Sequence, residues 1–118
     1  MASPGQTFRL GIWSVKPQNV SSFIKAWQVA GDWLVRRLPD QGGAVLLRDE
    51  EDPSMLISFA SFSDPEKVED LMASAEYQDL WADVMHYCDD VKPHRMRVVS
   101  SPGGQIGGRC AAGPAVGA

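Results

Sequence analysis

The sequence predicts a single α+β domain made of two strand–helix–strand units. Three observations carry that expectation. Short strand-like stretches recur at 7–15, 44–48, 55–62 and 91–99, the second a continuous apolar run and the first a clear alternation. Longer segments between them place apolar residues at three- and four-residue steps, the period of an amphipathic helix. Clusters of Pro, Gly, Asn, Asp and Ser stand where one period gives way to the other.

The first alternating stretch sets Phe8, Leu10 and Ile12 against Arg9, Gly11, Trp13 and Val15, so both faces of this strand are partly apolar. Lys16-Pro17-Gln18-Asn19 ends it, with Asn19 as the expected cap of a helix running to about Leu38. Val20, Phe23, Ile24, Trp27, Ala30, Leu34 and Leu38 form the stripe that faces the sheet. Gly31 lies in that stripe and is read as a point of close backbone approach. Trp33 falls off it, beside Val29, and is either a lone exposed aromatic or part of a partner surface. Arg36 and Arg37 complement the helix dipole in the last turn.

Pro39 to Gly43 form a turn into a second strand, Ala44 to Arg48, and Asp49-Glu50-Glu51-Asp52-Pro53 closes a hairpin. That acidic cluster lacks the ligand spacing and central glycine of a calcium loop and reads as a solvated turn. The third strand sets Met55, Ile57 and Phe59 against Leu56, Ser58, Ala60 and Phe62. Ser63-Asp64-Pro65-Glu66 has the capping-box pattern at the start of a short helix with Val68, Leu71 and Met72 inward. After a kink at Ala73-Ser74, with Ser74 as the cap, Tyr77, Leu80, Trp81, Val84 and Cys88 form a second stripe. Residues 91–99 supply the last strand, with Pro93 near its start and Met96 and Val98 on one face.

The order strand, helix, strand, strand, helix, strand is the ferredoxin-like arrangement. Helices cover one face of such a sheet, and the apolar residues left on the other call for a second copy of the chain. Residues 1–6 read as an N-terminal extension, 7–100 as the domain, and 101–118, rich in Gly, Ala and Pro, as a flexible tail.

Bulk properties restrict the function. The chain has 118 residues, 44% of them hydrophobic and 22% charged, which suits one core. A formal charge of -4, with 11 scattered basic residues, argues against nucleic acid or an anionic membrane as the partner. The start lacks a secretory pattern, and Cys88 and Cys110 form no paired motif, so free thiols and a cytoplasmic location are expected. Cys88, on an apolar stripe, reads as a small core residue.

Residues 7–99 resemble the antibiotic biosynthesis monooxygenase family of dimeric α+β barrels. The resemblance rests on the run from Phe8 to Pro17, on Phe23 and Trp27, on Glu51-Asp52-Pro53, on Phe62 to Glu66 and on Ser74-Ala75-Glu76-Tyr77. It implies a homodimer joined through the open sheet face, with a pocket in each subunit between helices and sheet. It also implies oxidation of a small aromatic or polyphenolic metabolite by molecular oxygen with no cofactor, the substrate itself supplying the electrons. A non-catalytic dimer that binds a small ligand or another protein is the alternative.

Two departures from the family pattern bear on this. Phe62 stands at a corner where the family often has tryptophan; phenylalanine supplies an apolar wall and no indole donor. Trp81 stands where the haem-degrading branch has histidine, so haem ligation is not expected. His86 points away from Tyr77 on its helix, with Asp79, Asp83 and Asp90, and reads as part of a solvated face. His94 shares parity with Met96 and is either a base facing a cavity or an exposed strand-end residue. Tyr77, with a hydroxyl to offer, is the second catalytic candidate. Phe23, Trp27, Phe62 and Trp81 are the candidate substrate-binding residues, and the aromatics among them either wall a flat pocket or fill a core.

Overall fold

The computed structural model describes residues 6–38, 43–62 and 64–103. Its elements follow in the expected order: β1 (Thr7–Ser14), a short 3₁₀ turn (Pro17–Asn19), α1 (Val20–Arg36), β2 (Gly43–Arg48), β3 (Met55–Ser61), α2 (Pro65–Met72), α3 (Ala75–Tyr87) and β4 (Asp90–Arg97). The turn expected at Pro39–Gly42 and the tail from 104 onward, Cys110 included, lie outside the described residues.

The strands form one antiparallel sheet in the order β2-β3-β1-β4, the ferredoxin-like topology. Register decides which residues share a face. Arg9 pairs with Ala60 and Arg95, Gly11 with Ser58 and Pro93, and Trp13 with Leu56 and Val91. These face the helices, because Trp13 and Leu56 are fully buried there beside Phe23, Val68 and Val84. Burying each large apolar side chain contributes about 1.5–3 kcal/mol, which makes this layer the main source of cohesion. The intervening residues, Phe8, Leu10, Ile12, Val45, Leu47, Ile57 and Phe59, line the opposite face, where no helix lies.

Local chemistry sets the helix ends, with two differences from expectation. Asn19 occupies the N-cap of α1, but its side chain makes no capping bond; the 3₁₀ turn introduces the helix instead, with the Asn19 amide donating to the Lys16 carbonyl at 2.8 Å. Asp64 caps α2 by accepting from the Lys67 amide at 3.1 Å, so the acceptor sits one residue later than the capping box placed it; Ser63 lies outside the described residues. Ser74 caps α3 as expected, accepting from the Tyr77 amide at 3.3 Å while its hydroxyl donates to the Leu71 carbonyl at 2.7 Å. In the hairpin between β2 and β3, Asp49 accepts from the amides of Glu51 and Asp52 at 2.7 and 2.8 Å. Those bonds, the Asp52 one foremost, hold its carboxyl below the usual range.

Packing of α1 against α3 widens the covered sector of α1 beyond the stripe facing the sheet. Trp33, expected to stand off in water, instead meets the Tyr77 ring at 5.8 Å between centroids. Arg37 also lies over the Trp33 ring, 4.0 Å from its centroid, and donates to the Trp33 carbonyl at 2.9 Å. Ile24, assigned to the inward stripe, is 39% exposed.

Candidate functional site

A cavity of about 340 Å³ opens between the helix layer and the covered face of the sheet. Its walls are aromatic: Trp13 from β1, Trp27 from α1, Phe62 after β3, and Tyr77 and Trp81 from α3. Trp81 stacks on Tyr77 at 5.7 Å, with 18° between the planes, and stands edge-on to Trp13 at 5.6 Å. A flat, electron-rich ring is the shape such walls accommodate.

The space exists because small residues stand among the large ones. Ala44, Ser58 and Ala60 line the sheet side. Gly31 lines the helix side, and a Cβ built there meets nothing within 4 Å. Close backbone approach, the expected reason for this glycine, is therefore absent; it leaves room in the cavity. Gly11 has the reverse character. A Cβ there would lie 2.9 Å from Trp13 Nε1 and 3.0 Å from Ser58 Oγ, so only glycine lets the two side chains meet across the strands.

The Trp13 indole N–H donates to Ser58 Oγ at 2.9 Å. Ser58 thereby keeps its own O–H to donate toward the cavity it lines. Arg9 reaches the cavity from β1 and pairs with Glu69 of α2. Tyr77 is almost fully buried, and desolvation pushes its phenol up to about 12, against a smaller opposing pull from the Arg9 charge. At neutral pH Tyr77 is thus a neutral hydrogen-bond donor. Among the described residues, no carboxylate or imidazole lines the cavity.

The structure brings four of the six residues singled out in the sequence to this cavity: Trp27, Phe62, Tyr77 and Trp81. Phe23 lies behind the wall, fully buried and 5.0 Å from the Trp13 ring. His94 pairs with Leu10 in the β1–β4 register, which puts it on the uncovered face, exposed and across the sheet from Tyr77. The strand's own alternation linked His94 to Met96 correctly, and both lie on that uncovered face. His86 is exposed on α3 beside Tyr87. Cys88 is a half-buried free thiol, raised first by burial and then by the charges of Asp89 and Asp90. Among the described residues, no three His, Cys, Asp or Glu side chains are grouped as a metal site, and no helix is long and apolar enough to cross a membrane.

Arg9, Gly11, Trp13, Gly31 and Ser58 were not recognised as site residues from the sequence. For the strand residues the signal was parity: Arg9, Gly11 and Trp13 alternate together, as do Ser58 and Ala60 with Phe62, the one strand-end residue already singled out.

No family model matches the sequence, and no curated protein matches it significantly. Solved structures do match. SnoaB, a cofactor-independent oxygenase from Streptomyces nogalater, superposes with a TM-score of 0.67 at 12% identity, covering 82% of this chain and 96% of that one. A candidate antibiotic biosynthesis monooxygenase from Bordetella bronchiseptica gives 0.67 at 19% identity, covering 81% and 99%. Another from Caulobacter crescentus gives 0.69 at 10% identity, covering 82% and 92%. At such identities the likeness shows a shared fold, and the chain has the α+β fold of the antibiotic biosynthesis monooxygenases.

Proposed function

We propose that this protein is a cytoplasmic homodimer that oxidises a small aromatic or polyphenolic metabolite with molecular oxygen and no cofactor. The observation that carries this reading is the aromatic-walled cavity with Tyr77, Ser58 and Arg9 as its polar groups. The fold shared with a cofactor-independent oxygenase supports it.

On this reading the substrate ring lies between the indoles of Trp27 and Trp81, and a phenolic oxygen points to the Tyr77 and Ser58 hydroxyls. Both donate, so they stabilise the oxygen as it gains negative charge, and the Arg9 guanidinium adds to the effect. Among the described residues no base lines the cavity, so the proton leaves to a water molecule at the cavity mouth, away from the aromatic walls. For an anthrone-type methylene the overall step is balanced: carbon loses two hydrogens and becomes a carbonyl, one atom of dioxygen enters that carbonyl, and the other leaves as water. The four electrons that reduce dioxygen come from the substrate carbon. Dry aromatic walls keep the carbanion from being reprotonated before oxygen arrives.

The missing base and Phe62 at the corner favour a second reading, a dimer that binds such a ligand without turning it over. One experiment separates the two. Oxygen uptake by anthrone and by substituted hydroquinones is followed with purified, metal-free protein. Acceleration over the buffer rate, with the quinone product formed in step, is expected. A ligand that raises the melting temperature yet is recovered unchanged across the panel would leave only the binding reading.

A further inference from the structure

Beside the main cavity lies a smaller recess of about 130 Å³, bounded by Thr7 and Arg9 of β1, Arg95 of β4, and Pro65 and Val68 of α2. The two spaces share Arg9, Ala60 and Phe62, so they adjoin one another at these residues. Arg9 and Arg95 are direct partners in the β1–β4 register and share the helix-facing side. Residues so placed have Cβ atoms about 4.5–5.5 Å apart, and like charges there oppose folding. Glu69 answers one of the two, through its ion pair with Arg9. Arg95 has no hydrogen bond, ion pair or aromatic partner among the described residues. Two arginines and one glutamate leave a net positive charge at this spot, in a chain whose formal charge is -4.

We propose that Arg9 and Arg95 form an anion subsite at the end of the aromatic cavity, so that the ligand carries a carboxylate beside its ring system. This rests on the cavity being the ligand site. A guanidinium presents paired N–H groups that match the planar carboxylate, and a carboxylate fits the small recess. With one carboxylate already supplied by Glu69, a second from the ligand completes a neutral arrangement of two arginines and two acids. The aromatic body then extends from the recess past Phe62 toward Trp81.

The test compares 2-naphthoate with 2-naphthamide, probes alike in shape and different in charge, by quenching of tryptophan fluorescence. Three proteins are used: the full chain, Arg95→Gln and Gly31→Leu. Arg95 is exposed and unpartnered and Gly31 has open space beside it, so both variants retain the fold. For the unaltered chain, naphthoate is expected to bind at least about fivefold tighter than the amide. Arg95→Gln removes that preference and leaves amide affinity unchanged, while Gly31→Leu weakens both probes by a similar factor. Equal affinities in the unaltered chain, or equal loss of both probes in Arg95→Gln, would overturn the subsite and leave the cavity reading intact. Affinities for both probes that stay undiminished in Gly31→Leu would instead remove the cavity as the aromatic site. Binding of neither probe would overturn both.

Discussion

The two faces of the sheet are built by the same strands from alternate residues, yet they differ in how their side chains vary in size. On the helix-covered face large and small alternate: Trp13 stands beside Gly11, and Leu56 beside Ser58 and Ala60. With Gly31 opposite, that unevenness leaves a cavity of about 340 Å³. On the uncovered face the centre of the sheet, from β1, β2 and β3, is uniformly large and apolar, with Phe8 and Phe59 in edge-on contact at 5.9 Å and Ile12 opposite Ile57, while β4 adds Lys92 and His94 at one edge. An even apolar surface is what a flat partner can bury, whereas an uneven one encloses space. On the function proposed above, the covered face binds the ligand and the uncovered face joins two copies.

The largest effect should come from a charge at the centre of the uncovered face. Ile57→Arg is expected to convert a dimer into a monomer in sedimentation equilibrium at micromolar concentration, with the cavity still able to bind an aromatic probe. An unaltered chain that is already monomeric would break the comparison on this side. On the covered face, Trp13 is 2% exposed, packs on Phe23 and donates its indole N–H to Ser58, so Trp13→Ala should cost about 3–5 kcal/mol in urea unfolding. Trp81 also borders the cavity but is only partly buried, and should cost clearly less. Equal losses would mean that the cavity contributes nothing to how these indoles are held.

A smaller effect concerns Tyr77. Its phenol is raised from the ordinary tyrosine value near 10 to about 12 in the folded protein. Folding therefore favours the protonated form; the stabilisation is complete below pH 10 and is lost as pH rises toward 12. The loss amounts to up to about 2–3 kcal/mol. Comparing urea unfolding of the native chain and Tyr77→Phe at pH 8 and at pH 11 isolates it. The native chain should lose more stability than the variant between the two values, and parallel losses would mean that the Tyr77 hydroxyl is not desolvated.

Most of the fold was legible because alternation and helical period are local properties. Element order, both faces of β1 and β3, and the inward positions Tyr77, Trp81 and Val84 of α3 could all be read from spacing. What could not be read depends on neighbours distant in sequence. A glycine on an inward helix stripe signals either a backbone neighbour or a space, and Gly31 is the second. Trp33 is covered by α3, a contact that the periodicity of α1 does not reveal. For β4, alternation grouped His94 with Met96, but which face the helices cover is decided by pairing with β1, because Val91 on one side and Met96 on the other are both apolar. Asp64 and Ser63 are equally good caps by residue type, and the helix start chose Asp64.

The most direct test of the division between the two faces is to watch both at once while an aromatic probe is added. With indole ¹⁵N and isoleucine methyl ¹³C labels, titration with 2-naphthoate should shift the indole N–H signals of Trp13, Trp27 and Trp81, which line the cavity. The methyls of Ile12 and Ile57, on the uncovered face, should stay where they are. Shifts confined to those methyls, with the indoles unmoved, would contradict the account.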